Sequence, residues 1–214
     1  MDKADPELLR QFGAERFGID LDDQAMGRIE AFVGTLELWN RRIRLTGERD
    51  DALLVRKHVA DSLACLTVMP PEGPVLDLGS GAGFPGIVIA CTRPDLDVTL
   101  LDSRQKAVSF LREVIRTAGL SRTQAIAMRA EDAARDEAIG GRQQAVTSRA
   151  IRMDVFLRLA VPLRAPAGLL VSMQTPSVGR EEAARTGQAY GLTVDRVIDY
   201  RLPSGENRRL IVWR

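Results

Sequence analysis

Histidine, cysteine and lysine are scarce in this chain of 214 residues. The low counts of histidine and cysteine exclude or disfavour several kinds of metal site and catalytic site. With one histidine, His58, the sequence excludes a histidine-rich metal site and any catalytic triad that needs a second histidine. The two cysteines, Cys65 and Cys91, stand in apolar surroundings without the spacing of a metal or redox motif. We therefore expect buried thiols of a cytoplasmic protein, and no bound metal.

Long apolar runs and a strong net charge are also missing. No apolar run is long enough to span a membrane, and the first residues, MDKADPELLRQF, lack the apolar core of a signal peptide. The net charge is +1, so contact with a polyanion would depend on local patches and would be sensitive to salt. The basic residues are 27 Arg and 3 Lys. Arginine suits phosphate and base contacts, although a GC-rich coding sequence is the simpler explanation of the bias.

A break near residue 70 divides the chain. Apolar residues recur at helical spacing over 21–44, a further helix is predicted over 51–69, and no strand candidate precedes residue 70. The run PPEGP (70–74) then ends the helical pattern. We predict an N-terminal helical extension over 1–70 and a second domain over 71–214.

From residue 75 onward, strand and helix patterns alternate. Predicted strands cover residues 75–78, 98–101, 124–128, 143–147, 168–173, 192–200 and 209–213, and predicted helices cover 85–92, 104–118, 131–139, 151–163 and 179–189. Such alternation indicates an α/β fold with a mostly parallel, doubly wound sheet. Because only LPSGENR joins the last two strands, we expect a seven-stranded, Rossmann-like sheet that ends in an antiparallel hairpin.

A glycine-rich loop follows the first strand, in VLDLGSGAGFPG (75–86). No Gly-Lys-Ser/Thr follows the glycines, which excludes a P-loop for nucleotide triphosphates. Gly81-x-Gly83-x-x-Gly86 matches the dinucleotide fingerprint, and Asp102 ends the second strand, where an acid holds ribose hydroxyls. An NAD-dependent oxidoreductase therefore stays an alternative, although no Tyr-x-x-x-Lys base accompanies the loop.

Asp77, two residues before Gly79, favours a different ligand. A carboxylate at this position would repel a pyrophosphate and attract S-adenosylmethionine, whose sulfonium and ammonium groups are cationic. D-x-G-x-G-x-G with an acid after the second strand is the pattern of class I S-adenosylmethionine-dependent methyltransferases, and RAED (129–132) is then placed to line the adenine. The structural alternatives are that Asp77 caps a turn or helix, and that Asp102 begins the next helix beside Ser103 as N-cap.

The segment after the fourth strand, VTSRAI (146–151), constrains the methyl acceptor. No Asn/Asp-Pro-Pro-aromatic motif for exocyclic amines follows it, and neither cysteine stands near it to attack cytosine C5. A ring nitrogen with a free lone pair, such as guanine N7, needs no proton removal, so its methylation depends mostly on in-line positioning. The missing general base is consistent with that acceptor.

Several motifs resemble one family along nearly the whole chain. LDLGSGAGFPGIVIA (76–90), with its Phe-Pro-Gly extension, resembles the signature of the bacterial 16S rRNA guanine-N7 methyltransferases, the RsmG family, also called glucose-inhibited division protein B. WNRRIRLTGERD (39–50), KHVADSL (57–63), LLDSRQKAVSFL (100–111) and TSRA (147–150) resemble further segments of that family in the same order.

The resemblance implies methyl transfer from S-adenosylmethionine to N7 of the guanine at position 527, in the 530 loop of 16S rRNA, with S-adenosylhomocysteine as product. It implies that the cofactor contacts are Gly79, Ser80, Gly81 and Phe84 on the methionine side, Asp102 and Ser103 at the ribose, and Ala130 and Glu131 at the adenine. It places Arg149 between cofactor and acceptor base, and His58 and Asp61 on the active-site wall, so Arg149, which would position the acceptor, and His58 are the catalytic candidates. The residue pattern alone favours His58 and Asp61 as a structural pair. The implied partner is 16S rRNA, as naked RNA, 30S subunit or assembly intermediate, and we expect a monomer away from membranes.

Two positions depart from the family pattern. The family usually has Asn-Leu-Thr where this chain has Arg44-Leu45-Thr46, and Lys-Gly where it has Gln174-Thr175. The second departure leaves a non-catalytic rRNA-binding module with the same fold as a further alternative.

The remaining basic residues have two interpretations each, and the two tryptophans are assigned to the core. Arg41, Arg42, Arg44, Arg56 and Lys57 form either an RNA-facing patch or a solvated helix face. The same alternatives hold for Arg201, Arg208 and Arg209 beside the hairpin turn, and Trp39 and Trp213 are expected in the core.

Overall fold

The computed structural model describes residues 4–43, 45–47, 51–149 and 151–214, and a seven-stranded sheet forms its centre. The strands are β1 (Pro74–Leu78), β2 (Asp97–Asp102), β3 (Thr123–Ala127), β4 (Gln143–Ser148), β5 (Arg164–Gln174), β6 (Val194–Arg201) and β7 (Asn207–Trp213). Their order is β3-β2-β1-β4-β5-β7-β6, with β1 to β5 parallel and β7 antiparallel to both of its neighbours. The predicted α/β fold with a C-terminal antiparallel hairpin is confirmed.

Nine α-helices are described around this sheet. They are α1 (Ala4–Phe17), α2 (Asp23–Asn40), α3 (Asp51–Leu54), α4 (Ala60–Leu66), α5 (Gly86–Thr92), α6 (Gln105–Thr117), α7 (Ala130–Ala133), α8 (Met153–Ala160) and α9 (Arg180–Gln188). A π-helical segment, Val55–Val59, joins α3 to α4, and a 3-10 turn, Val161–Leu163, follows α8. Within the described ranges, no helix has both the length and the apolar character needed to cross a membrane.

Side-chain capping sets both ends of α2. The carboxylate of Asp22 accepts a hydrogen bond from the Ala25 N–H at 2.7 Å, which satisfies a donor that the first helical turn leaves open. At the other end, Oδ1 of Asn40 accepts from the backbone N–H groups of Leu45 at 2.9 Å and Thr46 at 3.1 Å. The helix therefore ends at Asn40, before the predicted residue 44, because this side chain caps the following turn.

Two apolar clusters cover the two faces of the sheet. The larger one joins the N-terminal helices to the sheet, and Phe32 of α2 packs against Phe84 and Phe110 with ring centroids 5.1 and 6.5 Å apart. The smaller one joins α7, α8 and α9 to the opposite face, around Phe156 and Trp213. Helices on both faces confirm the doubly wound arrangement, while the domain boundary at residue 70 stays a prediction.

The single helix predicted over 51–69 is divided into α3, the π-helical segment and α4, which ends at Leu66. Two further elements differ in length from their predictions. The helix predicted over 131–139 ends at Ala133, because the Asp136 side chain accepts from the Ala138 N–H at 2.8 Å and stabilises a turn in place of the next helical bond. Strand β5 begins at Arg164, before the predicted residue 168, and its pairing with β4 shifts register between Gln143 and Ala145. Because the register shift interrupts the regular alternation along the strand, the sequence pattern does not show the first residues of β5.

Candidate active site

The glycine loop, residues 79–86, lies at the carboxyl edge of the sheet, where β1 has β2 on one side and β4 on the other. The backbone N–H groups of Gly79 and Ser80 donate to the Leu101 carbonyl at 2.8 and 3.1 Å, which ties the loop to β2. Gly79, Gly81 and Gly83 have φ values of 73°, 54° and 93°, which side chains rarely allow. The loop therefore exposes bare backbone at the edge where ligands of open α/β sheets bind.

Gly86 has a different role from the other glycines of this loop. It begins α5, and a Cβ atom there would lie 2.4 Å from Leu100 Cδ2 and 2.6 Å from Asp77 Oδ2. Gly86 thus allows α5 to pack closely on the sheet and does not itself make room for a ligand.

Asp77 is buried beneath the loop, with 1% of its surface exposed. Its Oδ2 accepts from the Gly86 N–H at 3.1 Å, and its Oδ1 has no hydrogen-bond partner among the residues that the structure describes. Burial raises the pKa of this carboxyl to about 7. The hydrogen bond to the start of α5 matches the capping alternative for Asp77, and its contact with a cofactor stays a prediction.

Asp102 ends β2 and has all of its acceptor positions engaged. Its Oδ2 accepts from the Gly81 N–H at 2.9 Å, and its Oδ1 accepts from the Arg104 backbone N–H at 2.9 Å. The Arg104 guanidinium adds Nε to Oδ1 and Nη2 to Oδ2, both at 3.1 Å. Burial opposes the ionised form, but the bonds from Arg104 and Gly81 outweigh it, so the pKa of Asp102 lies below its ordinary value.

Two cavities meet at Gly79. The β2 cavity, of about 240 Å³, has polar walls from Asp102, Ser103 and Glu131, and apolar walls from Leu78, Leu101, Met128, Ala130, Ile151 and Leu159. The loop cavity, of about 270 Å³, is lined by His58, Ser80, Gly81, Phe84, Arg104 and Arg149, together with Leu45, Thr46, Gly47 and Ala82. The structure therefore brings together every residue expected at the cofactor except Asp77, which lines neither cavity.

Arg149 follows β4 and contacts three groups from other parts of the chain. Its guanidinium lies 5.3 Å from the centre of the Phe84 ring, a cation–π contact. Its Nη2 hydrogen bonds to Nδ1 of His58, and its Nη1 lies 3.8 Å from Oδ2 of Asp61. Burial lowers the pKa of Arg149, while the nearby Asp61 carboxylate opposes that shift.

His58 lies in the π-helical segment, a type of helical irregularity that is frequent at functional sites. Burial and the adjacent Arg149 lower the pKa of its ring to about 3, so the imidazole is neutral at physiological pH. Its Nδ1 then accepts from the guanidinium of Arg149. His58 therefore orients Arg149, and the sequence-based pairing of His58 with Asp61 is corrected: both residues contact Arg149.

The terminal hairpin supplies two residues that sequence reasoning did not place in the site. The hydroxyl of Tyr200 donates to Oδ1 of Asp61 at 2.6 Å, and Nε of Arg208 lies 3.6 Å from Oδ2 of Asp61. Burial raises the pKa of Asp61, although the neighbouring Arg149 opposes that shift. The sequence indicated Arg208 as one of the basic residues beside the hairpin turn. Nothing in the sequence connects Tyr200 to Asp61, which lies 139 residues away in the chain.

A third cavity, the hairpin cavity of about 240 Å³, lies over these residues. Its walls are Asp61, Arg149, Met173, Gln174, Thr175 and Arg208. Arg149 lines both this cavity and the loop cavity, so one residue borders the two spaces. Gln174, where the family pattern has Lys, stands on this wall and donates to the Ser172 hydroxyl at 2.7 Å.

The other basic residues have varied surroundings. Arg41 and Arg42 are exposed, and Arg44 lies outside the described residues. Arg56 is partly buried, and Lys57 lies 3.5 Å from the Glu206 carboxylate. Arg209 forms a two-bond pair with Asp199 at 2.6 and 2.7 Å, which favours a structural role, while Arg201 is exposed. Cys65 and Cys91 are buried free thiols, and Trp213 is fully buried, as predicted.

Sequence comparisons match this chain to known proteins over nearly its whole length. A profile of the GidB family, described as rRNA small subunit methyltransferase G, matches residues 25–212. Ribosomal RNA small subunit methyltransferase G of Geobacter sulfurreducens is 36% identical over 205 residues, which are 94% of each chain.

Solved structures agree on the fold. A precorrin-6y C5,15-methyltransferase from Geobacter metallireducens superposes with a TM-score of 0.53 at 12% identity, over 80% of this chain and 90% of that one. Aeropyrum pernix fibrillarin, solved with natively bound S-adenosyl-L-methionine, gives a TM-score of 0.54 at 16% identity, over 73% and 74%. These similarities place the sheet and its helices among methyltransferase folds.

Proposed function

Because this chain belongs to the rRNA small subunit methyltransferase G family, we propose that it methylates N7 of a single guanine in 16S rRNA. The proposed target is the guanine at position 527 in the 530 loop, and S-adenosylmethionine is the proposed methyl donor. The family match over residues 25–212 carries this proposal, since it covers the glycine loop, the cavities and the hairpin together. Family membership removes the support for an NAD-dependent oxidoreductase.

The residues that line the β2 and loop cavities match the ribose, adenine and methionine portions of S-adenosylmethionine in chemical character. Asp102 and Ser103 would hold the ribose, and the apolar side chains around Ala130 and Glu131 would cover the adenine. The bare backbone of Gly79 and Gly81, with Ser80 and Phe84, would line the methionine portion. The Asp77 carboxyl, buried beneath the loop with Oδ1 unpartnered among the described residues, would add negative potential near the cationic end of the cofactor only when it is ionised, which its raised pKa of about 7 restricts to about pH 7 and above. When bound, the cofactor supplies an electrophilic methyl group on a sulfonium.

The hairpin cavity is the proposed pocket for the acceptor guanine. A guanidinium pairs readily with O6 of guanine, and Arg149 lines both this cavity and the loop cavity. Arg149 would therefore orient the base toward the methyl group. Guanine N7 attacks through a free lone pair, so the chain does not need to remove a proton. The neutral His58, already bonded to Arg149, agrees with such a site.

Asp61 is the acidic residue in the wall of the hairpin cavity. Methylation at N7 leaves the purine with a positive charge, and a buried carboxylate on the pocket wall lowers the energy of that charge. Tyr200 and Arg208 hold Asp61 in place, so the hairpin contributes to this electrostatic role. We propose that the protein acts as a monomer on 16S rRNA or a small-subunit particle in the cytoplasm.

The proposal is tested on 16S rRNA and 30S subunits from cells that lack this methylation. Each is incubated with the protein and methyl-labelled S-adenosylmethionine, and N7-methylguanine is mapped by reduction and strand cleavage. We expect one cleavage in the 530 loop, lost with Asp102→Ala and retained with Asp97→Ala at the other end of the same strand. Label elsewhere in the RNA would reject the target. Cofactor binding without any label would favour the non-catalytic rRNA-binding alternative.

A further inference from the structure

The carboxylate of Asp102 has no acceptor position left for a ligand. It accepts four hydrogen bonds, two from the backbone N–H groups of Gly81 and Arg104 and two from the Arg104 guanidinium. A carboxylate offers about four lone-pair positions. A ribose diol that binds Asp102 as proposed needs two of them, so the diol and the guanidinium exclude each other.

The two kinds of bond differ in how easily they can be broken. The backbone bonds are built into the glycine loop and the start of α6. The Arg104 side chain, by contrast, is 65% exposed, so its guanidinium can exchange the carboxylate for solvent without disturbing the core. Its Nη2 lies so close to Gly81 that a Cβ there would be 3.3 Å away. Rotation of this side chain therefore clears the space above Gly81 and frees two positions of Asp102.

We infer that Arg104 and the cofactor ribose compete for Asp102, so that cofactor binding displaces the Arg104 guanidinium, which is then offered to a phosphate of the RNA backbone. This inference rests on the proposed function. With the subsite empty, Asp102 neutralises Arg104, so the guanidinium adds little to attraction of RNA. With the subsite filled, the ribose hydroxyls take its place at Asp102, and a positive charge is released at the rim.

The surroundings of Arg104 suit a phosphate. The residue lines both the loop cavity and a neighbouring space of about 290 Å³, the α6 cavity, whose walls include Gln105, Lys106, Ile43 and Leu45. Lys106 is exposed on the same rim. Because Arg104 and Lys106 both line the α6 cavity, a backbone phosphate bound there would contact both cations once Arg104 is released, and cofactor binding would therefore strengthen RNA binding.

The first test measures cofactor affinity by calorimetry for the wild type, Arg104→Gln and Arg122→Gln. Arg122 makes the same two-bond contact with Asp97, at 3.0 and 2.8 Å, at the opposite end of β2, so it is a matched control. Because Arg104→Gln removes the competing guanidinium, we expect S-adenosylmethionine to bind about two- to fivefold more tightly, and Arg122→Gln to bind as the wild type does. Equal or weaker binding by Arg104→Gln would overturn the inference while the proposed function stands. A wild type that binds no cofactor would overturn both.

The second test measures binding of a 16S rRNA transcript over a range of KCl concentrations, with and without S-adenosylhomocysteine. For the wild type, we expect the product to steepen the slope of log K against log[salt] by about one unit, as one added phosphate contact does. Arg104→Gln should show the same slope in both conditions. Identical slopes for the wild type with and without the product would refute the release of Arg104 to RNA.

Discussion

At the scale of single residues, Arg149 combines a planar shape with a fixed charge. It contacts Phe84, His58 and Asp61 at once, and a lysine ammonium cannot reproduce a flat, forked contact with all three. We expect Arg149→Lys to lower single-turnover methyl transfer by about 100-fold, because the acceptor loses its orientation. Cofactor affinity should change by no more than about threefold, since the ribose and adenine contacts remain.

The control for this prediction is Arg152→Lys. Arg152 is 81% exposed and pairs with Asp154 on the surface, so its replacement should leave both measurements unchanged. Equal loss of cofactor affinity and methyl transfer in Arg149→Lys would show that Arg149 serves the cofactor and not the acceptor.

Asp77 gives the protein a distinct dependence of stability on pH. The native protein holds this proton up to about pH 7, whereas an unfolded chain releases it near pH 4. Between these values the native state binds more protons, so the contribution of Asp77 to stability falls as pH rises. Three pKa units correspond to about 4 kcal/mol as an upper bound.

Asp77→Asn removes this titration and keeps an oxygen for the Gly86 N–H. Relative to the wild type, we expect its free energy of unfolding in urea to be higher at about pH 8 than at about pH 4, by up to about 4 kcal/mol. Asp97→Asn, at an exposed carboxyl, provides the comparison. A difference between Asp77→Asn and the wild type that stays constant with pH would contradict the shifted pKa.

At the scale of elements, the terminal hairpin supports the helix that carries Asp61. The link is the Tyr200 hydroxyl, which donates to a carboxylate that is 3% exposed. Removing a hydrogen bond to a buried charged group costs about 1.5–3 kcal/mol, and we expect Tyr200→Phe to lose that amount in urea unfolding. The turnover rate should fall while cofactor affinity stays unchanged. Tyr190→Phe, at an exposed tyrosine, should change neither quantity.

Features that depend on neighbouring residues could be predicted from the sequence, whereas contacts between residues far apart in the chain could not. The alternation of apolar strands with amphipathic helices is local, and all seven strands and the helices that cover them were predicted from it. The loop residues and Asp102 were placed correctly at the same sheet edge because parallel strands align their carboxyl ends there.

Local patterns could not show side-chain contacts between distant segments. The pairing of Arg104 with Asp102 depends on a rotamer, and the contact of Tyr200 with Asp61 depends on how the hairpin folds back. The helix at α7 was predicted too long because a side chain, Asp136, competes with the backbone for a hydrogen bond.

At the scale of the whole molecule, the N-terminal helices and the sheet share one core. Phe32 is fully buried between Phe84 and Phe110, so the loop that lines the cavities rests on α2. We expect Phe32→Ala to destabilise the protein by about 3–5 kcal/mol. Circular dichroism and tryptophan fluorescence should report the same single transition. Two separate transitions would instead establish the predicted boundary near residue 70 as a boundary between independently folding units.

The tight packing at Gly86 has a consequence for how such sequences are classified. Three glycines satisfy the dinucleotide pattern here, yet Gly81 leaves open backbone beside a cavity, while Gly86 fills a contact between a helix and a strand. A pattern search that gives the two glycines equal weight combines Gly81, which lies beside a ligand cavity, with Gly86, which only allows a helix to pack closely on the sheet. Because Gly81 belongs to both the dinucleotide and the methyltransferase pattern, the acid at Asp77 separates these cofactor classes more sharply than any of the glycines does.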